Sequence, residues 1–205
     1  MRYFLATLLL VLCSGPGLSQ TGVPDLLGNL KAGGHVIVFR HGATDESQKD
    51  AYPLKFDDMS AQRQLNEKGR DAARQIGEAL SNRGIPIGSV YASRLNRAVE
   101  TAKLIGRKDV APSDALTDSG AGSPSSMANP TGTNARAGKA LREFASTSPP
   151  AGTNNILVTH KTNIADAFGK EYSDIEEGGA LVLHVEKGNV SVVRRVAPQE
   201  WTVSR

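Results

Sequence analysis

At 205 residues with 39% hydrophobic content, the chain holds enough apolar material for one core and is short for two. Its 24 basic residues stand against 21 acidic ones, a balance too even for the electrostatic footprint of a nucleic-acid binder. The one cysteine, Cys13, lies in the N-terminal apolar run, so no disulfide scaffold, thiolate catalyst or cysteine metal site is expected in the rest of the chain.

Arg2 followed by the apolar run Phe4 to Leu12, with small residues at Gly17 and Ser19, has the pattern of a secretory signal cleaved after Ser19. That divides the chain into a signal, residues 1–19, and a single domain, residues 20–205. The run is too short to span a bilayer, so the mature chain is read as periplasmic or secreted, with no membrane span. Leu12 is bulkier than the small residue usual before an acylated cysteine, which argues against lipidation of Cys13.

After a short leader containing Pro24, His35 to Phe39 reads as a buried strand, followed by the polar, loop-like segment Ala43 to Gln64. Asn66 is a good N-cap for a helix whose apolar residues Ala73, Ile76 and Leu80 recur at helical spacing until Gly84. Ser89 to Ala92 is a short strand and Leu95 to Ile105 a second amphipathic helix. A further short strand is expected around Asp109-Val110, then a loop from Ala111 to Thr133 rich in Ser, Gly, Pro, Thr and Asn. A helix from about Ala135 to Ala145 precedes the strand NNILVTH, and Thr162 to Phe168 is helical. Two late strands, Ala180–Val185 and Val190–Val196, join at the turn Lys187-Gly188-Asn189.

Strands alternating with helices predict an α/β three-layer sandwich: an open, mainly parallel sheet with one late strand antiparallel and helices on both faces. Ligands of such sheets bind outside the carboxyl ends of the strands. Two of the four histidines, His41 and His160, stand at such ends, whereas His35 and His184 read as packing or edge residues. With Arg40, Arg94 and Arg97 they would form a pocket of imidazole and guanidinium groups. Guanidinium forks match phosphate oxygens, and a neutral imidazole can attack phosphorus.

Arg40-His41-Gly42 after an apolar strand, SRLNRAVETA at the second helix and LVTHKTN at a late strand resemble, in order and spacing, the motifs of the histidine phosphatase superfamily, the phosphoglycerate-mutase-like proteins. The resemblance implies that His41 is the nucleophile that becomes phosphohistidine. Arg40 and Arg97 would bind the phosphoryl group, and His160 would hydrogen-bond it and stabilise the transition state. Gly42 would let the backbone approach the phosphate, and Arg94 and Lys161 are tentative substrate contacts.

Two departures narrow the branch. Lys161 stands where the acid-phosphatase and phytase branch has a proton-donating aspartate, and the nearest match to the mutases' glutamate is Asp118. A small branch 1 phosphatase is therefore the expectation, with Asp118 or Glu177 as proton donor. Its partner would be a phosphorylated small molecule or phosphoprotein, with no nucleic acid, cofactor or metal. Removal of phosphate from phosphohistidine or from an envelope sugar remains open, as does a weakly active or inactive phosphate-binding or partner-binding module. The sequence has no phosphate-cradling Gly-x-x-x-x-Gly-Lys-Ser/Thr loop and no His-Glu-x-x-His pair, and Asp57-Asp58 reads as solvated loop carboxylates.

Overall fold

The computed structural model describes residues 23–117 and 134–202. Two apolar runs build its centre. β1 (His35–Arg40) lies between β4 (Asn154–Thr159), to which it is parallel, and β5 (Ala180–Glu186), to which it is antiparallel. Beyond them lie β2 (Ile87–Ala92), parallel to β4, and β6 (Asn189–Val196), antiparallel to β5. With β3 (Ala111–Pro112) outside β2, the order is β3-β2-β4-β1-β5-β6, and β5 alone runs against the rest.

Both faces of the sheet are covered, which is why β1 and β4 read as continuous apolar runs rather than as alternating ones. Ile37, Phe39, Ile156 and Val158 face a cluster with Leu26, Ala73, Ile76, Leu80, Ala98, Ala102 and Trp201. Those partners come from α1 (Val23–Ala32), α2 (Glu67–Asn82), α3 (Asn96–Gly106) and the C-terminal 3-10 turn Pro198–Trp201. On the other face Val36, Val38 and Leu157 pack with Leu141 and Ile164 of α4 (Ala135–Ala145) and α5 (Lys161–Phe168). Each fully buried Phe, Leu or Ile contributes about 1.5–3 kcal/mol relative to an exposed one, so the two clusters pin the central strands from both sides.

The caps and boundaries are mostly those the sequence predicts: Asn66 accepts the Gly69 amide at 2.8 Å at the start of α2. Helix α1 is not anticipated. The sequence reading leaves Pro24 in a short leader, yet it lies in the first turn, where a helix has no partner for the amide that proline lacks, and Leu26 and Leu30 are buried one turn apart. Strand β3 lies at Ala111–Pro112 instead of Asp109-Val110, and the 3-10 turn Asp114–Leu116 follows it, so the start of the expected loop is structured. β3 pairs only with Tyr91 and Ala92, as suits an edge strand ending in proline.

The segment between β1 and α2 is irregular but densely tied. Gln62 is buried, donates from Nε2 to the carbonyls of Lys55 and Phe56, both at 2.9 Å, and accepts the Asn96 amide at 2.8 Å. Asp58 caps the 3-10 turn Met59–Ala61 through Ser60, a local structural task for one of the paired loop carboxylates. No helix among the described residues is long and apolar enough to cross a membrane.

Candidate active site

Parallel pairing of β1 with β4 settles where the two strand-end histidines go. Arg40 is in register with Thr159, so His41 and His160 leave the sheet side by side, with ring centroids 5.2 Å apart and planes at 61°. Both are almost wholly buried. His35 on β1 and His184 on β5 are register partners toward the other edge of the sheet, with centroids 5.6 Å apart, and take no part in this cluster.

Each imidazole is oriented by a second group. Nδ1 of His41 lies 2.8 Å from the Gly42 carbonyl, to which it donates as the neutral ring, leaving the lone pair on Nε2. Nε2 of His160 lies 2.8 Å from Ser93 Oγ, which accepts the Leu95 amide at 3.2 Å and has its own proton to donate to the ring, leaving the N–H of the neutral imidazole on Nδ1. Burial, first, and then the positive charge of Arg97 hold both rings well below the ordinary 6.5, with Arg40 and Arg63 adding to the effect and each ring facing the other. The His41 hydrogen bond to Gly42 opposes the shift without reversing it.

Both rings are thus neutral bases at neutral pH, and the sign of the pH dependence follows. An activity that needs neutral His41 stays at its plateau as the pH falls through 6.5, and its acid limb in kcat/KM lies below that value. The unfolded chain takes up these protons more readily than the folded one, so the stability due to neutral burial is complete above pH 6.5 and is lost as the pH falls toward the depressed folded values. A kcat/KM profile and thermal midpoints from pH 8 to pH 4 check both statements.

Three guanidiniums surround the rings. Arg40, which ends β1, donates from Nη1 to the Ile175 carbonyl at 2.8 Å and from Nη2 to Glu177 at 3.2 Å. Arg97, in the first turn of α3, is buried and pairs with Asp50 at 2.9 Å. Arg63 comes from the irregular segment before α2, and its charge bears on His41, His160 and Arg40. The Nε groups of Arg40 and Arg63 are buried with no hydrogen-bond partner among the described residues. Leaving such a donor unpaired costs about 1–3 kcal/mol, which an anionic ligand's oxygens would offset.

The tetrad expected from the motifs, Arg40, His41, Arg97 and His160, therefore assembles at one edge of the sheet. Glu177 reaches it as well: the Gly178 amide donates to the carbonyls of Arg40 and His41 at 3.2 and 3.0 Å, which stitches the turn before β5 onto the end of β1. Asp118 lies outside the described residues. Gly42 has a packing reason for being glycine. Its amide donates to Thr101 Oγ1 at 3.0 Å, and a Cβ there would stand 3.0 Å from the Gly69 carbonyl oxygen of α2. Arg94 lies over the Phe56 ring at 4.0 Å, pairs with Asp114 at 3.3 Å and is partly exposed, while Lys161 is exposed at the start of α5. Sequence reasoning missed Asp50 and Arg63, because a non-periodic polar segment carries no signal for which of its charges turn inward. Among the described residues no group of three or more His, Cys, Asp or Glu is placed to hold a metal ion.

Fold and site together define an α/β protein with paired neutral imidazoles and clustered arginines at the carboxyl edge of its sheet. The family model of the histidine phosphatase superfamily (branch 1) matches residues 36–127, which include two of the three motifs. A mutant phosphoserine phosphatase from Entamoeba histolytica in complex with phosphoserine is similar in structure, with TM-score 0.54 and 16% identity over 81% of this chain and 98% of that one. The protein histidine phosphatase SixA complexed with tungstate aligns with TM-score 0.52 and 17% identity over 80% and 97% of the two chains. A mycobacterial glucosyl-3-phosphoglycerate phosphatase aligns with TM-score 0.52 and 18% identity over 77% and 96%. No curated protein matches the chain. Residues 36–127 thus match branch 1 of the histidine phosphatase superfamily, and the chain shares the fold of these phosphatases.

Proposed function

We propose that the protein is an exported phosphatase that hydrolyses a phosphomonoester through a phosphohistidine on His41, without a metal ion. The observation that carries this reading is the pairing of two buried, neutral imidazoles with three guanidiniums, of which Arg40 and Arg63 each bury an Nε–H that no described residue accepts. Phosphoryl oxygens would be held by Arg40, Arg63 and Arg97, with His160 donating to one of them. The Nε2 lone pair of His41 forms a bond to phosphorus as the P–O ester bond breaks, and the leaving oxygen takes a proton from an acid. Water then attacks the phosphohistidine and returns its proton to the conjugate base of that acid, the P–N bond breaks, inorganic phosphate leaves, and neutral His41 is regenerated.

The proteins that share the fold supply the substrate chemistry by analogy, since two of them are complexed with phosphoserine and with the tetrahedral oxyanion tungstate. A phosphorylated small molecule or phosphoprotein is the proposed partner. Brief incubation with 32P-labelled phosphoester and a denaturing quench at alkaline pH, followed by separate acid and base treatment, tests the intermediate: a base-stable, acid-labile adduct is expected, and an acid-stable one would overturn it. Failure to turn over even p-nitrophenyl phosphate would favour a binding module. Activity is expected to survive exhaustive EDTA treatment, and loss restored by a divalent ion would overturn the metal-free mechanism. Export predicts a mature chain beginning at Gln20, read by mass spectrometry of the secreted or periplasmic product.

A second reading rests on the carboxylates. Among the described residues, Asp50 and Glu177 are both engaged by site arginines. A substrate whose leaving group needs little protonation, such as a phosphohistidine, would fit that arrangement. Glu177→Gln separates the two readings. If Glu177 is the acid, alkyl phosphate hydrolysis falls ~10²–10⁴-fold while p-nitrophenyl phosphate hydrolysis is spared. If both rates are unchanged, Glu177 is not the donor, and Asp118→Asn becomes the next test.

A further inference from the structure

Asp50 is the buried carboxylate that the mechanism leaves without a task. It lies on the irregular segment after β1, yet its side chain is only 7% exposed. Its Oδ1 accepts two hydrogen bonds at 2.9 Å, one from the Arg63 amide and one from Nη1 of Arg97. One oxygen thus fastens the segment that carries Arg63 to the helix that carries Arg97. Those are two of the three guanidiniums whose charge bears on the imidazoles.

Two physical consequences follow, and they act in opposite directions on an anion in the pocket. The hydrogen bond from Arg97 restricts how its guanidinium plane lies, and a planar fork binds a phosphoryl group well only when its orientation is set beforehand. The negative charge of Asp50 also repels any oxyanion brought to the same guanidinium and weakens the grip of the arginine cluster on it. A site that binds phosphoester and product phosphate through the same groups gains turnover when the product is not held too tightly.

We propose that Asp50 is a positioning residue that sets the orientation of Arg97 and limits the affinity of the pocket for phosphate, so that product release does not throttle turnover. The proposal rests on the reading of the pocket as a phosphoryl site, and the test separates the two. The probes are inorganic phosphate and orthovanadate, measured as inhibitors of p-nitrophenyl phosphate hydrolysis by the full chain.

Asp50→Asn retains an acceptor oxygen and removes the charge. Its inhibition constant for phosphate should be roughly tenfold lower than wild type, with kcat and KM falling together. Asp50→Ala removes the charge and the acceptor, so it should bind phosphate roughly tenfold more weakly than Asp50→Asn. Asp50→Glu keeps the charge and should stay within about threefold of wild type. Since Asp50→Asn removes the negative charge that Asp50 places beside a buried guanidinium, a readout independent of activity is included: added phosphate should raise its thermal midpoint more than that of wild type. An Asn variant that phosphate does not stabilise, or whose inhibition constant equals wild type, overturns the proposal. Equal constants for the Asn and Ala variants would remove the orienting role and overturn it as stated. A wild-type protein that binds neither phosphate nor vanadate would overturn the phosphatase reading first, and this proposal with it.

Discussion

Replacing His41 by alanine should reduce p-nitrophenyl phosphate turnover by about 10⁴-fold or more while leaving the protein folded, because no other group can form the proposed covalent intermediate. The ring is buried, but among the described residues it donates to the neighbouring Gly42 carbonyl and meets His160 at the end of β4, a strand that β1 already holds by backbone pairing, so its loss removes little of what joins the elements. The expected stability cost is about 1 kcal/mol, a fall of a few degrees in Tm for a chain of this length. Circular dichroism and steady-state kinetics on the same preparation check both halves. A variant that retains a tenth of the wild-type rate would assign the nucleophile elsewhere, and one that does not fold would show that His41 is structural.

Arg97→Ala should be nearly as costly to activity and far more costly to stability. Its guanidinium is buried with Asp50 and is the first electrostatic influence on both imidazoles, and in the proposed mechanism it would stabilise the transition state at the phosphoryl oxygens. The expected loss in kcat/KM is about 10²–10³-fold. Lysine should not restore it, because a point charge lacks the planar fork. Breaking a buried pair and leaving one partner behind costs about 3–5 kcal/mol, which for this chain lowers Tm on the order of 10 °C. The double variant Arg97→Ala/Asp50→Ala removes both charges and should regain much of that stability without regaining activity. If it gains no stability, the ion pair is not what the single variant breaks.

The contrast between these residues shows what was readable from the chain. His41 and His160 each end an apolar run, and Arg97 lies in a patterned helix, so local periodicity places each on an element and the parallel-sheet rule brings them to one edge. Glu177 could be placed above the pocket because about ten residues separate the end of α5 from β5, enough chain to return to the edge, and the bond from Gly178 to the end of β1 does return it. The misplaced elements have local reasons as well. Pro24 hid α1 because a proline in a first turn looks the same in sequence as one in a loop. β3 was placed two residues early because an edge strand with so short a pairing has almost no pattern to read.

By itself the sequence determined the α/β class, the two buried central strands and the positions of His41, His160 and Arg97 on or at the ends of regular elements, because burial on both sheet faces writes itself as apolar runs and caps mark where they stop. Tertiary structure alone decided that β4 lies beside β1, that Arg63 completes the guanidinium cluster and that Asp50 is buried against Arg97. Strand order and the inward turn of a charged loop residue are set by contacts between segments far apart in the chain, and no period or spacing near Asp50 or Arg63 records which distant partner will compensate its charge.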